Sequence, residues 1–199
     1  MNELNETYWT NRYLNQQTGW DLGELSPPLK KHIDQIDNKN LKILIPGAGN
    51  AYEAEYLFKL GFKNIYVLDI SEYPINEFKK RNNDFPKNHL LVEDFFLHEA
   101  KYDLIIEQTF FCAINPGLRE KYVKKMADLL NPNGKLIGLL FNINFDSEGP
   151  PFGGNKNEYQ KLFNTKFVIE NMEICPDSVK PRLGNELFFC FSLIDKKNN

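Results

Sequence analysis

The stretch Leu41 to Glu53, LKILIPGAGNAYE, constrains the fold more than any other part of the chain. Ile43, Leu44 and Ile45 form an apolar run that reads as a buried strand, and it enters Pro46-Gly47-Ala48-Gly49 directly. From Tyr52 to Leu60 the apolar side chains then fall at helical spacing. A strand, a glycine turn and a helix in that order let backbone approach a ligand closely. The helix start adds unpaired N–H groups and the positive end of a dipole. Asp69 follows at the end of a second apolar run, about 20 residues on, where a ribose-binding carboxylate is expected. Together these predict an adenosine-cofactor site. Taken singly, the loop also fits an ordinary tight turn, and Asp69 also fits a cap for the helix that Ser71 and Pro74 begin.

Around that stretch, strands are expected at 42–46, 64–69, 88–92, 102–107 and 134–141, with helices at 51–60, 73–82 and 117–130 between them. Asn131-Pro132-Asn133-Gly134 stops the last helix. Near-continuous apolar strands separated by helices indicate a parallel sheet covered on both faces. After Asn142 the order changes: a loop through Gly149 to Gly154, a short helix from Glu158 to Phe163, then β-rich stretches 166–175 and 186–194 around the polar loop Pro176–Asn185. The expectation is an α/β, Rossmann-like fold with a mostly parallel seven-stranded sheet ending in an antiparallel hairpin, as in class I methyltransferases. Ahead of it, residues 7–16 carry Tyr8, Trp9, Tyr13 and Leu14 at helical spacing with Thr7 as the cap, and Ser26-Pro27 starts a helix running to about Ile36. The 199 residues fit one domain, 1–199, with 1–38 as an N-terminal helical lid.

A nicotinamide site would place a third glycine where Tyr52 stands, and no length is left for a separate dehydrogenase substrate domain. Small residues at alternate positions, Gly47, Gly49 and Ala51, suit a methyltransferase loop instead. Asp94 and Phe95, in Glu93-Asp94-Phe95-Phe96 after the third strand, would reach the adenine amino group and flank the ring; otherwise they are a solvated carboxylate and a core phenylalanine. A net charge of -3 gives no footprint for nucleic acid. No apolar run approaches the ~20 residues of a membrane span. The polar, acidic N-terminus is not a targeting peptide, and Cys112, Cys175 and Cys190 lack paired spacing, so a cytoplasmic protein with reduced thiols is expected. His32, His89 and His98 lack metal-ligand spacing and are expected at the surface; no metal is predicted. Cys112, in an apolar stretch, is expected in the core.

The motifs Tyr8-Trp9 with Arg12-Tyr13, TGWDLG (18–23), SPPL (26–29), IPGAGNAYE (45–53), LDIS (68–71), EDFF (93–96), FFCAINPGLR (110–119), GPPF (149–152) and PRLGNE (181–186) resemble, in order and over nearly the whole chain, the thiopurine S-methyltransferase family. The spelling is closest to its halide/thiol methyltransferase branch. The resemblance implies S-adenosylmethionine as donor and a small soft nucleophile as acceptor: a thiol, thiopurine, thiocyanate, sulfide or halide. It implies that Trp9, Tyr13 and Trp20 close over the cofactor, that Gly47, Gly49, Asp69, Ile70, Asp94 and Phe95 hold it, and that Gln108 adjoins it. Tyr13 departs from the tryptophan of the plant branch, and Gln108 from the arginine of thiopurine enzymes and the tyrosine of the plant branch. Arg119 and Arg182 are the candidates for drawing an anionic acceptor to the methyl group, with Arg119 also readable as structural. Transfer would be an in-line displacement, where alignment alone supplies ~7–11 kcal/mol of barrier reduction, and stacked aromatics attract the sulfonium by ~0.5–2 kcal/mol each. A monomer acting on a small molecule is expected. The other readings are an O- or N-methyltransferase on the same fold, or a non-catalytic module that binds the donor.

Overall fold

The computed structural model of the chain describes residues 3–146 and 148–194; residues 1–2 of the expected lid, and 147 and 195–199 of the expected domain, lie outside the described residues. The chain divides into two compact units at His98/Glu99.

The first unit opens with α1 (Glu6–Leu14). Its cap is Asn5, not Thr7: the Asn5 side chain accepts from the Tyr8 amide at 3.0 Å. Helix α2 (Pro27–Ile33) starts where expected, but Ser26 makes no side-chain cap bond, since Pro28 removes one of the two N–H groups such a cap serves. Then follow β1 (Ile43–Pro46), α3 (Tyr52–Lys59), β2 (Ile65–Asp69), α4 (Glu72–Arg81) and β3 (Leu90–Val92). A 3-10 turn at Lys87–His89 takes the first part of the expected third strand. The strands lie in the order β3-β2-β1, all parallel, with Ile43 opposite Ile65 and Val67 opposite Leu90. All four residues of β1 are buried, as a strand covered on both faces requires.

The second unit contains β4 (Tyr102–Gln108), α5 (Arg119–Leu129), β5 (Leu130–Phe141), α6 (Lys156–Phe163), β6 (Phe167–Ile174) and β7 (Glu186–Leu193). Helix α5 begins later than the sequence suggests because Asn115 accepts from the Gly117 amide at 2.8 Å and turns Pro116–Leu118 into a 3-10 segment. Strand β5 begins earlier, at Leu130: Asn131-Pro132-Asn133-Gly134 is absorbed into it, with Asn133 left-handed at φ 65° and a register shift against β4 between Tyr102 and Leu104. The order is β4-β5-β7-β6, with β4 and β5 parallel and β7 antiparallel to both β5 and β6. The units supply three and four strands of a seven-stranded mixed sheet with a C-terminal antiparallel pair, the fold class the sequence predicts.

Phe163, 1 % exposed, closes the core of the second unit: its ring lies 4.9 Å from Phe191, 5.7 Å from Phe111 and 6.1 Å from Phe167. Phe163→Ala should cost ~3–5 kcal/mol of unfolding free energy in a denaturant titration; a cost under ~1 kcal/mol would contradict this packing.

Two of the buried carboxyl groups are shifted far enough to titrate near neutrality. Burial pushes Glu53 up to about 7. Burial also pushes Glu107 up to about 7, against the lowering effect of the Phe111 and Phe110 amides and with a further rise from the Glu186 charge. Each folded carboxyl keeps its proton at a pH where the unfolded one has lost it. Its stabilising contribution is therefore present below about 4.5 and lost as pH rises through about 7. The melting temperature should fall by several degrees over that window, and Glu107→Gln should flatten the fall and raise the melting temperature on its alkaline side. A melting temperature independent of pH there, in both proteins, would contradict the assignment.

Candidate functional site

At the carboxyl end of β1 the backbone alternates. Gly47, Gly49 and Ala51 all adopt left-handed conformations, with φ of 57°, 53° and 54°. Glycine takes such angles freely and alanine does so at a cost, so the alternation of small residues in the sequence has a backbone cause. Asp69, at the carboxyl end of β2, is 6 % exposed and holds the loop: Oδ2 accepts from the Gly49 amide and Oδ1 from the Ser71 amide, each at 2.9 Å. Burial raises the Asp69 carboxyl from its ordinary value, while the amides of Ser71, Gly49 and Ile70 pull it back. Ile70 follows, half-buried.

The three N-terminal aromatics gather at this loop. Trp20 meets Trp9 edge-on at 5.6 Å and Tyr13 edge-on at 5.7 Å, and Tyr13 stacks on Tyr73 at 5.8 Å. The Tyr13 hydroxyl lies 2.9 Å from where a Cβ on Gly49 would stand, so a side chain at 49 would have to displace the Tyr13 hydroxyl as well as take a strained φ. Burial, then the Asp69 charge, raises the Tyr13 phenol well above its usual value, so it is a neutral hydroxyl at any ordinary pH. Trp9, Tyr13, Trp20, Gly47, Gly49 and Asp69 thus come together in one place. Asp94 and Phe95 form their own turn: Asp94 Oδ1 accepts from the Phe96 amide at 2.8 Å, and Phe95 is buried, 3 % exposed.

One tie was missed in the sequence. Asp21, inside TGWDLG, accepts from the Asn50 side chain at 2.5 Å and the Tyr52 hydroxyl at 3.4 Å, linking the N-terminal segment to the loop. A carboxylate beside Trp20 was visible; its partners on the loop were not. The surface expectation needs correction for His98, which is buried with Nδ1 2.6 Å from Glu93. His89 is half-buried, its ring stacked on Tyr66 at 4.1 Å.

In the second unit, Gln108 ends β4, half-buried, and Thr109 follows with φ 58°. A β-branched residue in the left-handed region is strained. Glu107 enforces the turn, with Oε1 accepting from the Phe110 amide at 2.8 Å and the Phe111 amide at 3.0 Å. Beyond it lies a small cavity, with room for about one water, lined by Thr109, Phe111, Cys112, Leu139, Leu140, Phe141, Tyr159 and Glu186. It sits at the carboxyl ends of β4 and β5, where ligands bind in open α/β sheets. Burial raises the Cys112 thiol, which donates to the Thr109 carbonyl at 3.2 Å. Both candidate arginines are engaged. Arg119 donates to the Gly153 carbonyl at 2.8 Å and the Phe152 carbonyl at 3.3 Å, and its guanidinium lies 4.6 Å over Phe111. Arg182, 7 % exposed, pairs with Glu186 at 3.2 Å and lies 5.4 Å over the Phe141 ring.

Residues 4–188 match the family model for thiopurine S-methyltransferase. The chain is 33% identical over 196 residues to a probable thiol methyltransferase 2 of Arabidopsis thaliana, covering 94% of this chain and 84% of that protein. It is 29% identical over 189 residues to thiocyanate methyltransferase 1 of Brassica oleracea, covering 92% and 83%. In fold it is similar to the Burkholderia thailandensis 1,6-didemethyltoxoflavin-N1-methyltransferase solved with S-adenosylhomocysteine, with a TM-score of 0.74, 15% identity and coverage of 96% and 87%. A glycine loop that only small residues can line, pinned by a strand-end carboxylate and faced by aromatics, is a fit cradle for the donor these proteins share. The chain belongs to the thiopurine S-methyltransferase family, S-adenosylmethionine-dependent methyltransferases of the class I fold.

Proposed function

We propose that this protein methylates a small thiol-type acceptor. The observation that carries the reading is the cradle at β1 and β2: left-handed Gly47, Gly49 and Ala51, the Asp69 carboxylate beneath them, and Trp9, Tyr13 and Trp20 around them. Gly47 and Gly49 hold the donor through backbone, and Asp69 and Ile70 take its ribose, Asp69 having lone pairs beyond the two amide bonds it accepts. Asp94 and Phe95 take the adenine, and Gln108 adjoins the site. The donor supplies an electrophilic methyl on a sulfonium. The aromatics attract that cation through their ring quadrupoles and keep water away from it.

The acceptor class is that named for the plant relatives, thiols and thiocyanate. Arg182 serves the acceptor, and Arg119 shapes the site through the Phe152–Gly153 backbone. We read the whole chain as one methyltransferase domain with residues 1–38 as its lid, a reading supported by a family match that spans residues 4–188. We place it in the cytoplasm as a monomer. Three free cysteines suit a reducing compartment, and among the described residues no helix is long and apolar enough to cross a membrane.

The reading is tested by incubating the protein with methyl-labelled S-adenosylmethionine and a panel of thiols, sulfide, thiocyanate, halides, phenols and amines. Label should appear on sulfur first; label confined to oxygen or nitrogen acceptors would overturn the assignment. Two variants test the cradle by calorimetry with S-adenosylhomocysteine. Asp69→Ala and Gly49→Ala should each weaken binding at least about tenfold, ~1.4 kcal/mol, the second because a Cβ there meets the Tyr13 hydroxyl at 2.9 Å. Unchanged affinity in either would remove that residue from the site.

A further inference from the structure

The turn that follows β3 in the first unit is closed by two side chains that the donor reading leaves unused. Glu93 begins it: its amide donates to the Asp69 carbonyl at 3.1 Å, one residue past the point where Val92 lies opposite Asp69 in the parallel pair. The chain then winds back on itself. Asp94 Oδ1 accepts from the Phe96 amide at 2.8 Å, and the Asp94 carbonyl accepts from the Leu97 amide at 2.9 Å and the His98 amide at 3.2 Å. Across the base of the turn, His98 Nδ1 lies 2.6 Å from Glu93 Oε1. Opposite a carboxylate oxygen, Nδ1 is the donor. The His98 side chain is 8 % exposed and the Glu93 side chain 40 %, so the histidine end of the contact is the fixed one. A buried ring nitrogen is costly unless it is hydrogen-bonded, and here its bond ties residue 93 to residue 98. Residues 94–97 are therefore held in one conformation from both ends.

Asp94 and Phe95 lie inside this closed turn. Phe95 is buried and Asp94 is half-buried, and among the described residues Asp94 Oδ2 has no hydrogen-bond partner. Resting on the reading that these two residues take the donor's adenine, we propose that the Glu93–His98 pair sets the protein's specificity for that base, by holding Asp94 Oδ2 where an exocyclic amino group can donate to it. His98 is the positioning residue and touches no ligand. The group recognised is the amino group of an aminopurine, which is a donor. The oxo group of hypoxanthine is an acceptor and would face the carboxylate oxygen with no proton between them. The Glu93 amide, bonded to the Asp69 carbonyl, keeps this base-reading turn in register with the residue that takes the ribose.

The test compares S-adenosylhomocysteine with its oxo analogue, S-inosylhomocysteine, by calorimetry. The native protein should prefer the adenine form at least about tenfold, the size of one hydrogen bond to a charged group. In His98→Ala the preference should fall below about threefold, through weaker binding of the adenine form with the analogue little changed. His98→Asn, whose side-chain amide meets Glu93 from the position of Nδ1, should restore it. A residue that merely kept the turn folded would lower both affinities together. A preference kept in full by His98→Ala, both ligands weakened in proportion, or His98→Asn behaving as His98→Ala does, would overturn the proposal. Where His98→Ala does not fold, Glu93→Ala removes the half-exposed end of the same contact and is read in its place, with the same loss expected and the same results overturning. A native protein that binds S-adenosylhomocysteine without preferring it, or an Asp94→Ala variant with the native preference, would overturn the adenine reading together with this inference. A preference that needs Asp94 and is indifferent to His98 and Glu93 would overturn this inference alone.

Discussion

The grip of one carboxylate on two backbone amides organises the first half of the molecule. Asp69 ends β2, and its oxygens hold the Gly49 amide and the Ser71 amide. The first bond fixes a loop whose alternating left-handed angles expose its backbone; the second sets the entry to α4. Buried carboxylates are costly unless hydrogen-bonded, and these amides are what make the burial tolerable. Thr10 bonds Ser71 side chain to side chain at 2.7 Å, and Asp21 bonds Asn50, so helix α1 and the loop after it are both fastened to residues adjoining this grip.

The second half has an analogous device at β4. Glu107 uses one oxygen on the Phe110 and Phe111 amides and bends the chain sharply enough to leave Thr109 left-handed. The Phe152 amide then donates to the Cys112 carbonyl at 2.7 Å, so the GPPF segment is stitched to FFCAI. Arg119 completes the stitch from its side-chain end. Two motifs far apart in the chain are therefore one structure. Each unit spends an acidic residue at a strand end to shape a turn.

Much of this was legible. The strand–glycine–helix stretch, the alternation of apolar strands with helices and the closing hairpin are local patterns, and local patterns follow from propensity and periodicity. The small residues at 47, 49 and 51 were legible as a loop type, though not as three left-handed angles. What escaped depended on strand pairing and turn geometry that neither propensity nor spacing announces. Asn131 to Gly134 reads as a stop, yet pairing with β4 carries it into β5 with a bulge. His98 reads as a surface residue until Glu93 and the turn around it bury it. Arg182 reads as a cation waiting for an anion; four residues on, Glu186 neutralises it across a 3-10 turn, a pairing that spacing alone does not announce.

The account's central claim is that the N-terminal aromatics and the Asp69-pinned loop form one donor site. The chain has two tryptophans, Trp9 and Trp20, and both belong to the N-terminal aromatic cluster, so intrinsic tryptophan emission reads that cluster alone. Titrating S-adenosylhomocysteine should change that emission saturably, with the midpoint found by calorimetry, and in Gly49→Ala the midpoint should move to at least about tenfold higher concentration. Emission that stays constant while calorimetry shows the protein saturated would contradict the claim.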